Sequence, residues 1–195
     1  MDFDAFFDRV DRETHRDLDL AIGRTLRALT ALERNMIVAL QVGLSQLDRE
    51  LIGIMTDGIP ASAAMDRFVR ICGAAVVTDR DPALADEAKD LGKRVGVALK
   101  RRNSLAHDHV FAVGEDAETF FLSNSLRTKS VSEITVEEIE SLHSEAQRLA
   151  VAVLRLAGKL LDALMRAEPI DTDRNHPSFT AYVELMKRLS PGGDS

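Results

Sequence analysis

The sequence predicts an all-α fold, an antiparallel helical bundle with a small β-hairpin insert. Three observations carry that expectation. Apolar residues recur at spacings of three and four through three long segments, the period of amphipathic helices. Asp57-Gly58-Ile59-Pro60 and Thr78-Asp79-Arg80-Asp81-Pro82 interrupt those segments with breaker residues. Only residues 109–122 read as strand and turn.

Taken in order, Phe3, Phe6, Phe7 and Val10 mark a short amphipathic helix over residues 3–11. A long helix follows from about Arg16 to Met55, with Gly43 as the place for a bend. Its apolar series is Leu26, Leu29, Met36, Ile37, Leu40, Leu44, Leu47 and Leu51. The next helix runs from Ser62 to about Val77, with Cys72 in the run Phe68, Val69, Ile71, Ala74, Ala75. Pro82 suits the first turn of a helix from Ala83 to Ala106. Leu91, Val95, Ala98, Leu99, Leu105 and Ala106 form its stripe. After it, residues 109–113, the turn Gly114-Glu115-Asp116 and Thr119-Phe120-Phe121-Leu122 make the hairpin. Thr135 is an N-cap residue, and Glu138 completes a capping box. The helix it opens extends to about Ala167, with Ile139, Leu142, Ala146, Leu149, Val153, Leu156, Leu160, Leu161 and Leu164 on one stripe. Residues 1–168 thus form one helical domain with its core over about 16–165. Residues 169–195 form a polar tail with a short helix from Ser178 to Leu189 and a disordered end.

The 195 residues, 45% of them hydrophobic, are enough for one sizeable core. A net charge of −7 argues against a surface that coats nucleic acid broadly. Yet Lys93, Arg94, Lys100, Arg101 and Arg102 lie close together, a local patch suited to a few phosphates. For Lys93, Arg94 and Lys100, the favoured reading is a solvated helix face with cations near its C-terminus, which complements the helix dipole. One cysteine, Cys72, leaves no intramolecular disulfide and no Cys-based zinc site, and reads as a small core residue. The acidic opening MDFDAFFDRVDRE has no signal-peptide pattern and no apolar run approaches a membrane span. The expectation is a soluble, cytoplasmic protein with no membrane contact.

Two residues break the apolar pattern. Arg102 falls near the centre of its helix's stripe, roughly 60° from Leu99. Asn103 and His107, four residues apart, share a strip on its flank. A guanidinium in a core register is costly unless paired or facing a polar pocket, so Arg102 is a structural ion-pair partner or part of a site. Glu33 stands four residues after Leu29 and three before Met36, where another Leu is expected. One Glu and one Arg in apolar registers suggest that the two helices meet there, through a core salt bridge or a functional site.

Arg102-Asn103 followed by His107 resembles the R-x(4–6)-H signature of the HEPN superfamily (higher eukaryotes and prokaryotes nucleotide-binding domains). The context Arg101-Arg102-Asn103-Ser104-Leu105-Ala106-His107 and Ala31-Leu32-Glu33 in a long first helix are similar to that family as well. The resemblance covers roughly residues 16 to 165. It implies a HEPN-like bundle, in which a small hairpin after the motif helix is common. It also implies metal-independent RNA cleavage without a cofactor, by a toxin or phage-defence effector. The family's habit is a homodimer whose two motifs face a shared cleft at the two-fold axis, often restrained by an antitoxin or a nucleotidyltransferase.

The residues present can support that chemistry. An unperturbed imidazole titrates at about 6.5, which makes a histidine such as His107 a suitable residue type for acid or base work near neutrality. Arg102 offers a planar fork of donors to a phosphate. Asn103 can orient an imidazole or donate to a phosphate oxygen. Glu33 would line the cleft, pairing with Arg102 or tuning His107. Arg101 and Lys100 are candidate RNA-backbone contacts, and His109 a contact at the cleft rim. His107-Asp108-His109 is not read as a metal site, because the helix ends there and the two imidazoles diverge. His15, His143 and His176 are isolated and read as solvated, and Ser104 and Ser141 lack a triad context. There is no Gly-rich phosphate loop. With Tyr182 the sole tyrosine and no Trp, there is no base-stacking platform either. The competing functions are a non-catalytic HEPN-like dimer that binds nucleotide, RNA or protein, and a plain structural bundle.

Overall fold

The computed structural model describes residues 12–45, 47, 49–107, 109–112, 120–124 and 130–166, with backbone alone at 12–15, 49, 107, 109–112, 120–124 and 130–132. The expected helix over residues 3–11, the hairpin turn at 114–116 and the tail beyond Arg166 lie outside the described residues. The chain is predominantly helical. Its helices are α1 (Arg12–Gly43), α2 (Arg49–Thr56), α3 (Ala61–Cys72), α4 (Ala75–Thr78), α5 (Ala83–His107) and α6 (Val136–Met165). Between α5 and α6 run β1 (His109–Ala112), β2 (Phe120–Asn124) and β3 (Ser130–Ile134).

Two compact units are present. The first comprises residues 1–33 and 93–151, the second residues 34–92 and 152–195. In the first, the strands form one antiparallel sheet in the order β1-β2-β3. Phe111 pairs with Phe121, and Leu122 with Ser132. The sequence reading places two strands here. The third, Ser130–Ile134, carries only Val131 and Ile134 as apolar residues and gives little alternation to read.

In that unit α1 buries Leu18, Ala21, Thr25, Leu29 and Leu32, a three-four series. Of the expected series, Leu29, Met36, Leu40 and Leu44 are buried, Leu26, Ile37 and Leu47 are half-buried and Leu51 is exposed, and the buried Leu32 is not in it. Thr25, fully buried, donates from Oγ1 to the Ile139 carbonyl of α6 at 3.1 Å, which satisfies its hydroxyl. The N-terminus of α6 has a reciprocal cap. The Thr135 amide donates to Glu138 Oε2 and the Glu138 amide to Thr135 Oγ1, both at 3.2 Å. Thr135→Ala removes half of that box and is expected to cost about 1 kcal/mol, read from the urea midpoint.

The second unit corrects two expectations. The helix expected from Arg16 to Met55 stops at Gly43, and α2 starts separately at Arg49. The chain leaves α1 through tightened turns, with the Leu44 amide shared between the Leu40 and Gln41 carbonyls and Ser45 donating to Val42. Gly43 is closely packed: a Cβ there would stand 3.1 Å from Ile71 Cδ1 and 3.2 Å from Leu160 Cδ2. The helix expected from Ser62 to Val77 likewise ends at Cys72, because the chain turns at Gly73 before the single turn of α4. Beyond α2, Gly58 takes φ +63°, the left-handed geometry that its lack of a Cβ permits. Arg67 donates to the Met55 carbonyl at the end of α2, and Gln41 to Thr56 Oγ1, which binds the Ile52 carbonyl. Lys159 of α6 pairs with Glu87 of α5 at 2.7 Å, and Arg80 donates to the Arg166 carbonyl. No described helix is long and apolar enough to cross a membrane.

Cys72 is fully buried, and burial pushes its thiol from 9.0 up to about 12. A folded-state pKa raised above the unfolded one contributes stability below pH 9.0 and loses it as pH rises toward about 12. Unfolding free energy is expected to fall by about 1.4 kcal/mol per pH unit in that window. Alkaline urea titrations of the wild type beside Cys72→Ala check this, since the variant lacks that component of the slope.

Candidate functional site

The C-terminal half of α5 and the middle of α1 build the site. Along α5 the buried positions are Leu84, Ala88, Leu91, Val95, Ala98 and Leu105. Their alternating spacing of four and three places position 102 in the same series, so Arg102 holds the one non-apolar place in that register. Ala106, expected on the stripe, is exposed, because it falls roughly 100° from Leu105 on the helix. The polar end of α5 follows from its local sequence: Lys100, Arg101 and Asn103 are exposed, and Arg102 alone turns into the packed register.

Glu33 and Arg102 do meet. Arg102 Nε stands 3.7 Å from Glu33 Oε1, and the side chains are 30% and 27% exposed. Glu33 itself lies on the flank of the α1 stripe, next to the buried Leu29, Leu32 and Met36. At 3.7 Å the pair attracts by charge but lies beyond an N–H···O hydrogen bond. The fork of the guanidinium is not closed on the carboxylate. Nη1 donates to Asn103 Oδ1 at 3.3 Å, a long bond between sequence neighbours. Among the described residues, Nη2 has no partner. A guanidinium carries five N–H donors, so this arrangement leaves capacity for an anion. Partial exposure also reduces the desolvation penalty that a charge in this register would otherwise carry.

His107 is the last residue of α5, one helical turn beyond Asn103 along the backbone, and His109 is the first residue of β1. The side chains of both, and all of Asp108, lie outside the described residues. The structure therefore brings together Arg102, Asn103 and Glu33, with Lys100 and Arg101 exposed on the same turn of α5.

Two features were not read from the sequence. Arg94 is clamped to Glu145 of α6 at 2.8 Å, and Glu145 also pairs with Arg148 at 3.1 Å. This acidic bridge neutralises part of the basic run and narrows its positive end to residues 100–102. No local pattern links two residues so far apart in the chain. His143 was expected on a solvated surface. Instead it is half-buried, and its Nδ1 is sealed from solvent without a partner among the described residues. It follows Leu142 at the edge of the α6 stripe, and helix periodicity alone could have placed it there. No family model, curated protein or solved structure matches the chain.

Proposed function

We propose that this protein is a metal-independent endoribonuclease of HEPN type, acting as a toxin or phage-defence effector. The observation that carries the reading is Arg102, held in a packed helical register beside Asn103 with its Nη2 without a partner among the described residues. A guanidinium whose donors are not all taken by its neighbours can hold a phosphate through two parallel N–H···O bonds. In the reaction, a base takes the proton from the ribose 2′-OH as its oxygen attacks the adjacent phosphorus. The 5′-oxygen leaves with a proton from an acid, which yields a 2′,3′-cyclic phosphate and a 5′-hydroxyl. His107 serves as base or acid, Arg102 holds the charge that develops on the phosphate, and Asn103 orients the imidazole or a phosphate oxygen. Lys100 and Arg101 contact the RNA backbone, and His109 lines the rim. Because one imidazole does not easily fill both proton-transfer roles, two copies facing each other across a two-fold axis would supply a second His107. An antitoxin or nucleotidyltransferase fits as the restraining partner.

The proximity of Glu33 to Arg102 favours one other reading, a catalytically inert HEPN-like dimer that binds nucleotide, RNA or protein. Purified protein incubated with total RNA and tRNA in EDTA separates the two. The ribonuclease leaves cyclic-phosphate ends and loses its activity in His107→Ala. The binding module leaves RNA intact and retains it on a filter.

A further inference from the structure

In the second unit, α6 has two apolar faces, and the chain itself uses only one. Leu156, Ala157, Leu160, Ala163 and Leu164 are buried. Leu154, Leu161 and Met165 are 44%, 37% and 71% exposed, and Gly158 among them is exposed too. Val151, earlier on the same helix, extends the series, which then alternates in steps of three and four. That is the seam of a helix that packs lengthwise against another helix. Projected at 100° per residue it occupies an arc of roughly 80°, rotated by about 130° from the buried stripe.

Gly158 is the least expected residue in that seam. An exposed glycine inside a helix costs about 1 kcal/mol relative to Ala. Gly43 and Gly92 have packing reasons, since a Cβ would meet Ile71 at 3.1 Å in one case and Val69 at 3.2 Å in the other. A Cβ on Gly158 would meet nothing within 4 Å, as at the helical Gly23, Gly53 and Gly96. What sets Gly158 apart is its place between Leu154 and Leu161, where it leaves room for the backbone of a second helix.

The seam also specifies its occupant, because it is self-complementary. Its apolar positions stand seven and four residues before Gly158, and three and seven after it. Two copies laid antiparallel about a two-fold axis at Gly158 set Leu154 opposite Leu161 and Val151 opposite Met165. The same operation sets Arg155 beside Asp162 of the second copy, twice. Both residues are exposed, and neither side chain has an ion-pair partner among the described residues. We propose that α6 pairs with α6 of a second copy, antiparallel across Gly158, with two Arg155–Asp162 bridges flanking the seam. Such an interface is isologous, so it closes on itself. Four turns of helix make a contact at the small end of specific interfaces, so a dissociation constant in roughly the micromolar range is expected. This pairing does not depend on the ribonuclease reading. If the motif also pairs copies, each chain has two isologous faces, and loss of the α6 face leaves the dimer joined at the motif.

The test is sedimentation equilibrium of the full chain over roughly 1–200 µM, a range that brackets the expected constant. Leu161→Glu is expected to raise the dissociation constant of this step at least about tenfold, the effect of a charge in a helix seam. Arg155→Asp alone weakens pairing, and Arg155→Asp/Asp162→Arg restores it to within about threefold of wild type, as a double-mutant cycle requires. A merely structural role for either residue would not produce that rescue, because the two positions lie two turns apart on one helix. Under oxidation Gly158→Cys gives a covalent dimer, and the buried Cys72 does not compete. A second variant, Leu154→Lys, keeps the test decisive if one substitution unfolds the chain. The proposal is overturned by a wild type that stays monomeric, as when the seam is covered by the chain's own tail. It is equally overturned by an assembly indifferent to Leu161 and Arg155, or by a double reversal no better than the single one.

Discussion

Arg102→Ala is expected to lower RNA cleavage by roughly two to three orders of magnitude, the usual effect of removing one preorganised donor from a developing oxyanion. The same change costs the fold only about 1 kcal/mol or less, because the pair it breaks is partly exposed and 3.7 Å apart. A comparison with Arg102→Met sharpens the result. Methionine fills the register between Ala98 and Leu105 with an apolar stem of similar reach but has no fork of donors. If Arg102 binds phosphate, this variant is as stable as wild type or more so, and inactive. If the guanidinium serves only as the partner of Glu33, cleavage by Arg102→Met equals that of the wild type, and the assignment of the site fails. Glu33→Gln adds a second axis. It removes the competing carboxylate charge, so RNA affinity rises where Glu33 merely neutralises Arg102, and falls where Glu33 positions it. Initial rates and filter binding, each beside a urea melt, separate these outcomes.

Phe68→Ala is expected to destabilise the protein by about 3–5 kcal/mol, the range for truncating a large aromatic in a core. Phe68 is fully buried on α3 and heads the largest side chains that are. Its loss removes the transfer free energy of the ring and leaves a cavity that Met65, Ile71 and Cys72, all buried on the same short helix, cannot fill by themselves. Against a typical total of about 5–15 kcal/mol, this is a large fraction of the stability. Val76, 47% exposed on α4, provides the control, since Val76→Ala is expected to stay within about 0.5 kcal/mol of wild type. A urea midpoint for Phe68→Ala within that same margin would show that the ring is not part of the core.

Much of the chain is legible because helix formation is local. The capping box at Thr135 and Glu138 needs only residues three apart, and it is present. The α5 stripe is set by period alone, and the expected positions are buried except at Leu99, which is half-buried, and Ala106, which is exposed. Arg102 stood out for the same reason, as a charge in an apolar register. The errors on α1 came from the many apolar residues that allow more than one stripe. The series Leu18, Ala21, Thr25, Leu29, Leu32 would have resolved the phase had Thr25 been admitted as a core residue. The breaks after Gly43 and Cys72 were harder to place, because the apolar period continues through both.

By itself, then, the sequence determined the helical class, most helix ends and the anomaly at Arg102, all of which follow from interactions within one or two turns. Only the tertiary structure decided that Glu33 stands 3.7 Å from that guanidinium without closing its fork. Only it assigned Arg94 to Glu145, sealed His143 Nδ1 from solvent and left the Leu154–Met165 face of α6 exposed. These outcomes depend on which helices approach each other and at what rotation. Periodicity says which face is apolar, whereas the distance and partner of each polar group are set by packing among segments far apart in the chain.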